Sequence, residues 1–161
     1  MLQPIAGAVN RRFRPSSYRK NDSLAKETII AHLEKNGHTI LESEENYSFD
    51  IKSEKDGNIY YSEVEMKNQW RGNWNPNWKE IRIPYRKHKL VNKFQKLNDG
   101  KAFFNFYVIR GDCQYAWRIK DDVLAASEVK EAHGMRIEKG ELFFHIKYQD
   151  AILVNLGEDN A

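Results

Sequence analysis

The residues best suited to chemistry lie between Asp50 and Lys67. The run Ile59-Tyr-Tyr-Ser-Glu-Val-Glu-Met-Lys67 alternates like a strand. In an extended chain Tyr60, Val64 and Met66 take one face, and Glu63, Glu65 and Lys67 take the other. One face reads as core and the other as ionic. Asp56-Gly57 suits a tight hairpin turn after the run at 47–53. With that turn Asp50 faces Glu63 and lies diagonal to Glu65, whereas a turn at Gly57-Asn58 sets Asp50 opposite Glu65. In either register Asp50 and Glu65 share a face, with β-carbons roughly 5 to 8 Å apart. Facing carboxylates repel, so a positive charge belongs among them. Two chemistries satisfy that need. Lys52 and Lys67 can form a solvent-facing salt ladder with the acids. Alternatively, Asp50 and Glu65 can hold a hard divalent ion, Mg²⁺ above all, since it accepts one or two carboxylates and fills its shell with water and phosphate.

The elements around these residues follow from pattern. Residues 24–35 put Ala25, Ile29, Ile30 and Leu33 at helical spacing, with Asp22 or Ser23 as N-cap and Asn36-Gly37 as the stop. Strands are expected at 38–43, 47–53 and 59–67. Residues 68–80, thick in Trp, Asn, Gly and Pro, read as an ordered loop. A second helix starts near Pro84, with the apolar stripe Leu90, Val91, Phe94 and Leu97. Residues 102–110 read as a strand buried on both faces and 114–119 as another, a short helix follows over 121–132, and 141–148 and 151–156 read as strands. The fold class expected is α/β, with a mixed central sheet flanked by helices. Residues 1–20, with Arg11, Arg12, Arg14, Arg19 and Lys20 and no periodicity, read as a mobile basic arm, and 21–161 as a single domain.

Asp50, a hairpin, and then Glu65-Met66-Lys67 on the next strand resemble the PD-(D/E)xK nuclease signature, with Phe49 at the position of its proline. The element order αβββαβ from Asp22 to about Ile119 resembles that superfamily's restriction-endonuclease-like core, to which the rest of the chain adds C-terminal elements. The resemblance covers more than half the chain. It implies that Asp50 and Glu65 bind Mg²⁺, or Mn²⁺ in its place, that the backbone carbonyl of Met66 assists, and that Lys67 orients or deprotonates the attacking water. It also implies a further acid on the first helix, for which Glu27 is the candidate, although a Glu in a first helical turn favours the helix dipole in any case. The implied reaction is phosphodiester hydrolysis by an endonuclease acting on DNA, including branched or junction DNA as in archaeal Holliday junction resolvases. Many members are homodimers.

Charge is distributed in a way that suits a polyanionic partner. The net charge of +3 divides into +5 over residues 1–20, −7 over 21–66, +8 over 67–101 and −3 over 102–161. The basic face of the second helix (Arg86, Lys89, Lys93, Lys96), with Arg82, Lys87 and the arm, is placed to contact backbone phosphates; read alone, such a face is more often simply solvated. Trp70, Trp74 and Trp78 lie in the loop. Trp74 could stack on unpaired bases, while packing of these rings onto the sheet is the commoner fate of Trp. A non-catalytic nucleic-acid-binding module, and a nuclease acting on RNA or single strands, are the alternatives.

Composition closes other routes. With 40% hydrophobic residues the chain can bury a core, and no run reaches the 18 or so apolar residues of a membrane span. The lone Cys113 leaves no internal disulfide or Cys-based zinc site, and the five histidines lack ligand spacing. A reducing, cytoplasmic setting is the expectation.

Overall fold

The computed structural model describes residues 15–44, 50–97, 102–132 and 140–157. The chain is a mixed α/β protein. Helix α1 (Pro15–Lys35) is followed by β1 (Thr39–Glu42), β2 (Ile51–Lys55), β3 (Asn58–Lys67) and β4 (Glu80–Pro84), and a 3₁₀ turn (Tyr85–Lys87) then leads into α2 (His88–Leu97). After these come β5 (Ala102–Arg110), β6 (Tyr115–Lys120), α3 (Asp121–Ala126), β7 (Glu128–Glu131), β8 (Leu142–Lys147) and β9 (Ile152–Asn155). Six strands form the main sheet in the order β1-β2-β3-β5-β6-β9, and β4-β8-β7 form a smaller one. Only β3 and β5 are parallel, joined through β4 and α2; the other described pairs are antiparallel.

The hairpin between β2 and β3 sets the register. Ile51 pairs with Ser62 and Lys55 with Asn58, as the Asp56-Gly57 turn requires. Both turn residues have positive φ, 53° and 80°, the geometry that matches the strand twist and that Asp-Gly tolerates. This is the first of the two registers, and it ends at Ile51–Ser62, next to Asp50 and Glu63.

The main sheet is covered on both faces. Against one face α1 lays Ala25, Ile29 and Leu33, which pack with Ile51, Val64, Tyr107 and Ile109. On the other, Phe104, Phe106, Val108 and Trp117 meet Val91 of α2, Leu124 of α3 and Ile81, Ile83, Phe144 and Ile146 of the small sheet. Strand β5 thus has apolar side chains on both sides, as its near-continuous apolar run implied.

The structure corrects several expectations. The face of β3 read as purely ionic also carries the larger core, because Tyr61, Glu63 and Glu65 pair with Phe104, Phe106 and Val108. The first helix begins at Pro15, so residues 15–20, assigned to the arm, are helical. Pro84 ends a strand and does not open a helix: β4 pairs with β8, more than 50 residues downstream, so a fourth strand stands between β3 and α2. The helix expected over 121–132 stops at Ala126, and Glu128–Glu131 form β7. Arg11, Arg12, Arg14, and part of the strand expected at 47–53, lie outside the described residues.

Candidate functional site

The acids cluster where β2 parts from β3. Ladder pairing with β2 covers β3 only as far as Ser62, and at that point the Asp50 N–H donates to the Ser62 carbonyl at 3.1 Å. One step further, Val64 N–H donates to Asp50 Oδ2 at 2.8 Å. The Asp50 carboxylate thus takes the place of the next strand residue. Main-chain groups of alternate residues point to the same edge of a strand, so the Met66 carbonyl faces the edge at which Ser62 and Val64 meet Asp50. Met66 otherwise packs its side chain toward α1.

Asp50 and Glu63 are buried, with 6% and 9% of their surface exposed. They interact directly, so two carboxyl groups share one dry pocket of the sheet. The neutralising cation is Lys87, from the turn before α2, whose Nζ lies 2.9 Å from Glu63 Oε1. Lys52 lies instead over the Tyr61 ring, 5.8 Å from its centroid. Burial, then the Asp50 charge, push the Glu63 carboxyl up to about 7, against the pull of Lys87. Burial also raises Asp50, opposed by the Val64 N–H and by Lys26 and Lys87. Lys87 pays a burial penalty too, but Glu63 and Glu65 hold its pKa above that of a free lysine. The two acids therefore retain a proton beyond the ordinary carboxylate range, while the ammonium stays charged.

A pH dependence follows. The folded state binds the Glu63 proton more tightly than the unfolded chain, whose carboxyl titrates near 4.5. The stabilisation from that proton is complete below about pH 4.5 and is lost as pH rises to about 7. In urea melts run without divalent ions, this one group should lower stability by up to about 3 kcal/mol across that window. Glu63→Gln should remove that slope, and identical slopes in the two proteins would show that no charge is being buried.

Glu65, half-buried, acts on Glu63, Lys67 and Lys87 through its charge. Lys67 places its ammonium over the Trp78 ring, 4.9 Å from the centroid. Burial lowers its pKa, Glu65 opposes that shift, and Arg82 reinforces it. Asp50 thus meets Val64 and Glu63, while Glu65 acts on Glu63 and Lys67, with Arg82 near Lys67.

Other candidates are placed differently. Glu27 is exposed, two residues and so about 200° around α1 from the buried Ala25. The α1 side chain whose charge reaches Asp50 is Lys26. Lys87 is committed to Glu63, and Arg86 lies 3.8 Å from the buried Glu141. Arg82, Lys89 and Lys93 are exposed, and for Lys96 only the helical backbone is described. Trp74 belongs to an aromatic cluster: its ring meets Trp70, Trp78 and Trp117 edge-on, and its N–H donates to the Trp78 carbonyl at 2.8 Å. Packing, not display, is what the loop tryptophans do here. Sequence reading set Glu63 opposite Asp50 but gave it no place in the site, and it missed Lys87 as the counter-charge of the pair. The hairpin register already pointed to Glu63, but nothing local pointed to Lys87.

Among the described residues no three His, Cys, Asp or Glu side chains are grouped to hold a metal ion. Two carboxylates and one carbonyl would nevertheless be a hard oxygen donor set. Such a set would suit Mg²⁺ only with water and substrate oxygens supplying the other positions, not as an all-protein cage. Among the described residues no helix is long and apolar enough to cross a membrane. Compared with known proteins, the sequence matches no family model and no curated protein.

Proposed function

We propose that this protein is a Mg²⁺-dependent endonuclease of the PD-(D/E)xK type, hydrolysing phosphodiester bonds in DNA. The observation that carries the reading is the junction of β2 and β3, where Asp50 is fixed by the Val64 N–H beside the outward Met66 carbonyl, with Glu65 and Lys67 on the same strand end. In this reading α1, β1 to β3, α2 and β5 stand for the αβββαβ core, and β4 is an insertion. Asp50 and Glu65 would hold the ion, assisted by the Met66 carbonyl. When bound, the ion supplies positive charge to the scissile phosphate and acidity to a water molecule. Lys67, its ammonium destabilised by burial, would orient that water for in-line attack, and its neutral amine form would accept the water's proton. Arg82, Lys89 and Lys93 supply positive charge for the flanking phosphates.

A non-catalytic nucleic-acid-binding module is the second reading, favoured by the Lys87 to Glu63 ion pair, since a purely structural acidic ribbon would need such a counter-charge. Incubating supercoiled plasmid and a branched oligonucleotide with Mg²⁺ or with EDTA separates the two. The nuclease nicks or cuts DNA in Mg²⁺ and not in EDTA. The module binds in both and cuts in neither.

A further inference from the structure

Two arginines are half-buried among the described residues, and their surroundings differ. Arg110 meets Asp112 through two bonds of 2.7 Å, donates to the Gly72 carbonyl at 2.7 Å and lies over the Tyr115 ring. Arg118 has no acid. Among the described residues no ion pair includes it, and its buried Nε has no hydrogen-bond partner. A guanidinium cannot shed its charge, so one taken partly out of water calls for an anion.

The sheet fixes where that charge lies. Arg118 pairs with Tyr107 of β5 and with Ile152 of β9, and Tyr107 pairs with Val64 of β3. Paired residues share a face, so Arg118 stands on the α1 side, through the sheet from Glu63 and Glu65. It donates to the Tyr107 hydroxyl, and the His32 ring of α1 meets the Tyr107 ring edge-on at 6.5 Å. Asn36 Nδ2 donates to the His32 carbonyl at 2.7 Å and lies 3.3 Å from His32 Nδ1. An amide nitrogen only donates, so the neutral His32 ring carries its hydrogen on Nε2. A second donor therefore stands near the guanidinium.

Nothing negative answers these donors. Burial, then the charges of Arg118, His38 and Lys35, hold His32 below the usual histidine range, and no acid opposes them. The charges that act on Asp121, the acid nearest to Arg118 along the chain, are those of Asp122 and Lys120. The His32, Leu33 and Glu34 carbonyls at the end of α1, which could draw a cation, already accept from the Asn36, Gly37 and His38 amides. Helices α2 and α3 pack on the other face of the sheet, and Ile152, beside Arg118, is 43% exposed, so the approach beyond α1 is open.

We propose that Arg118 and His32 form a phosphate-binding site on the main sheet beside the C-terminal half of α1, taking inorganic phosphate or the terminal phosphate of a small molecule. A guanidinium set this far in suits a terminal phosphate, which presents three oxygens on one side, better than a backbone diester with a sugar on each side. Asn105 and Lys120, paired one row along the same face, add polar groups at its margin. This inference does not rest on the nuclease reading.

Titration of the ¹⁵N-labelled full chain with inorganic phosphate in a chloride buffer tests it, followed by nuclear magnetic resonance at the Arg118 Nε–H and the His32 ring. The expected result is saturable one-to-one binding, with a Kd of about a millimolar or below, that moves both signals together. Arg118→Gln should weaken binding about tenfold or more with an unchanged circular-dichroism spectrum, while Lys147→Gln, at an exposed position of β8, should leave it as it is. A nucleoside monophosphate that binds more tightly than phosphate identifies a small phosphorylated ligand, and one that binds no more tightly identifies the free ion. Wild-type Arg118 and His32 signals that do not move, or that drift without saturating, overturn the proposal whatever the fate of the variant. So does binding undiminished in Arg118→Gln, or binding confined to an oligonucleotide that lacks a terminal phosphate.

Discussion

Lys67→Ala and Asp50→Asn should each lower the rate of Mg²⁺-dependent DNA cleavage by roughly 10²- to 10⁴-fold, the range lost when a positioned proton-transfer or charge-stabilising group is removed. The two substitutions act on different parts of the site. Asp50→Asn keeps the shape and leaves an oxygen to accept the Val64 N–H, now 2.8 Å from Oδ2, so the strand junction survives while a ligand charge is lost. Lys67→Ala removes an ammonium that rests on Trp78 and leaves the acids in place. Neither change touches Arg82, Lys89 or Lys93, so DNA affinity and its salt dependence should stay near wild type. Loss of cleavage with retained binding is the expected pair of results. Equal cleavage by all three proteins would remove these residues from the chemistry.

Trp70→Ala should cost about 3 to 5 kcal/mol of stability, the usual penalty for truncating a fully buried large aromatic. Trp70 is 2% exposed and stacks on Trp117 at 6.2 Å while meeting Trp74 edge-on at 5.2 Å. Its main chain ties three segments together, since its N–H donates to the Lys67 carbonyl and its carbonyl accepts from the Gly111 N–H. Removing the ring leaves a cavity beneath the loop that carries Trp78, the platform on which Lys67 rests. A melting temperature lower by about 10 °C is expected for a chain of this size. Trp78→Leu, at the half-buried rim, should cost far less stability and change mainly the environment of Lys67.

Those two outcomes draw on different depths of the sequence. The β2–β3 register was legible because Asp56-Gly57 is a local signal, and one turn type settles the position of every residue in the hairpin. Strand β5 was legible because a nearly unbroken apolar run has few other uses. Strand β4 was not. Its two isoleucines, Ile81 and Ile83, are too few to establish alternation, and the strand exists because β8 pairs with it from far along the chain. Lys87 misled for a related reason. It was grouped with Arg82 and the basic helix face as a phosphate contact, but it lies in the turn before α2 and meets Glu63, a contact that only tertiary folding creates. The tryptophans were read as either displayed or packed, and the apolar face of β6 decides for packing. Glu27 was named from the resemblance, while the stripe Ala25, Ile29 and Leu33, legible in the sequence, is the buried face and leaves Glu27 exposed.

The central claim is that Asp50 and Glu65 together hold one divalent ion beside Lys67, and it can be read without any substrate. Titrating the protein with Mn²⁺ and following free Mn²⁺ by electron paramagnetic resonance counts sites directly. The account predicts one site per chain, weakened about tenfold or more by Glu65→Gln and by Asp50→Asn and displaced by excess Mg²⁺. A chain that binds no Mn²⁺, or whose binding is the same in both variants as in wild type, would contradict it.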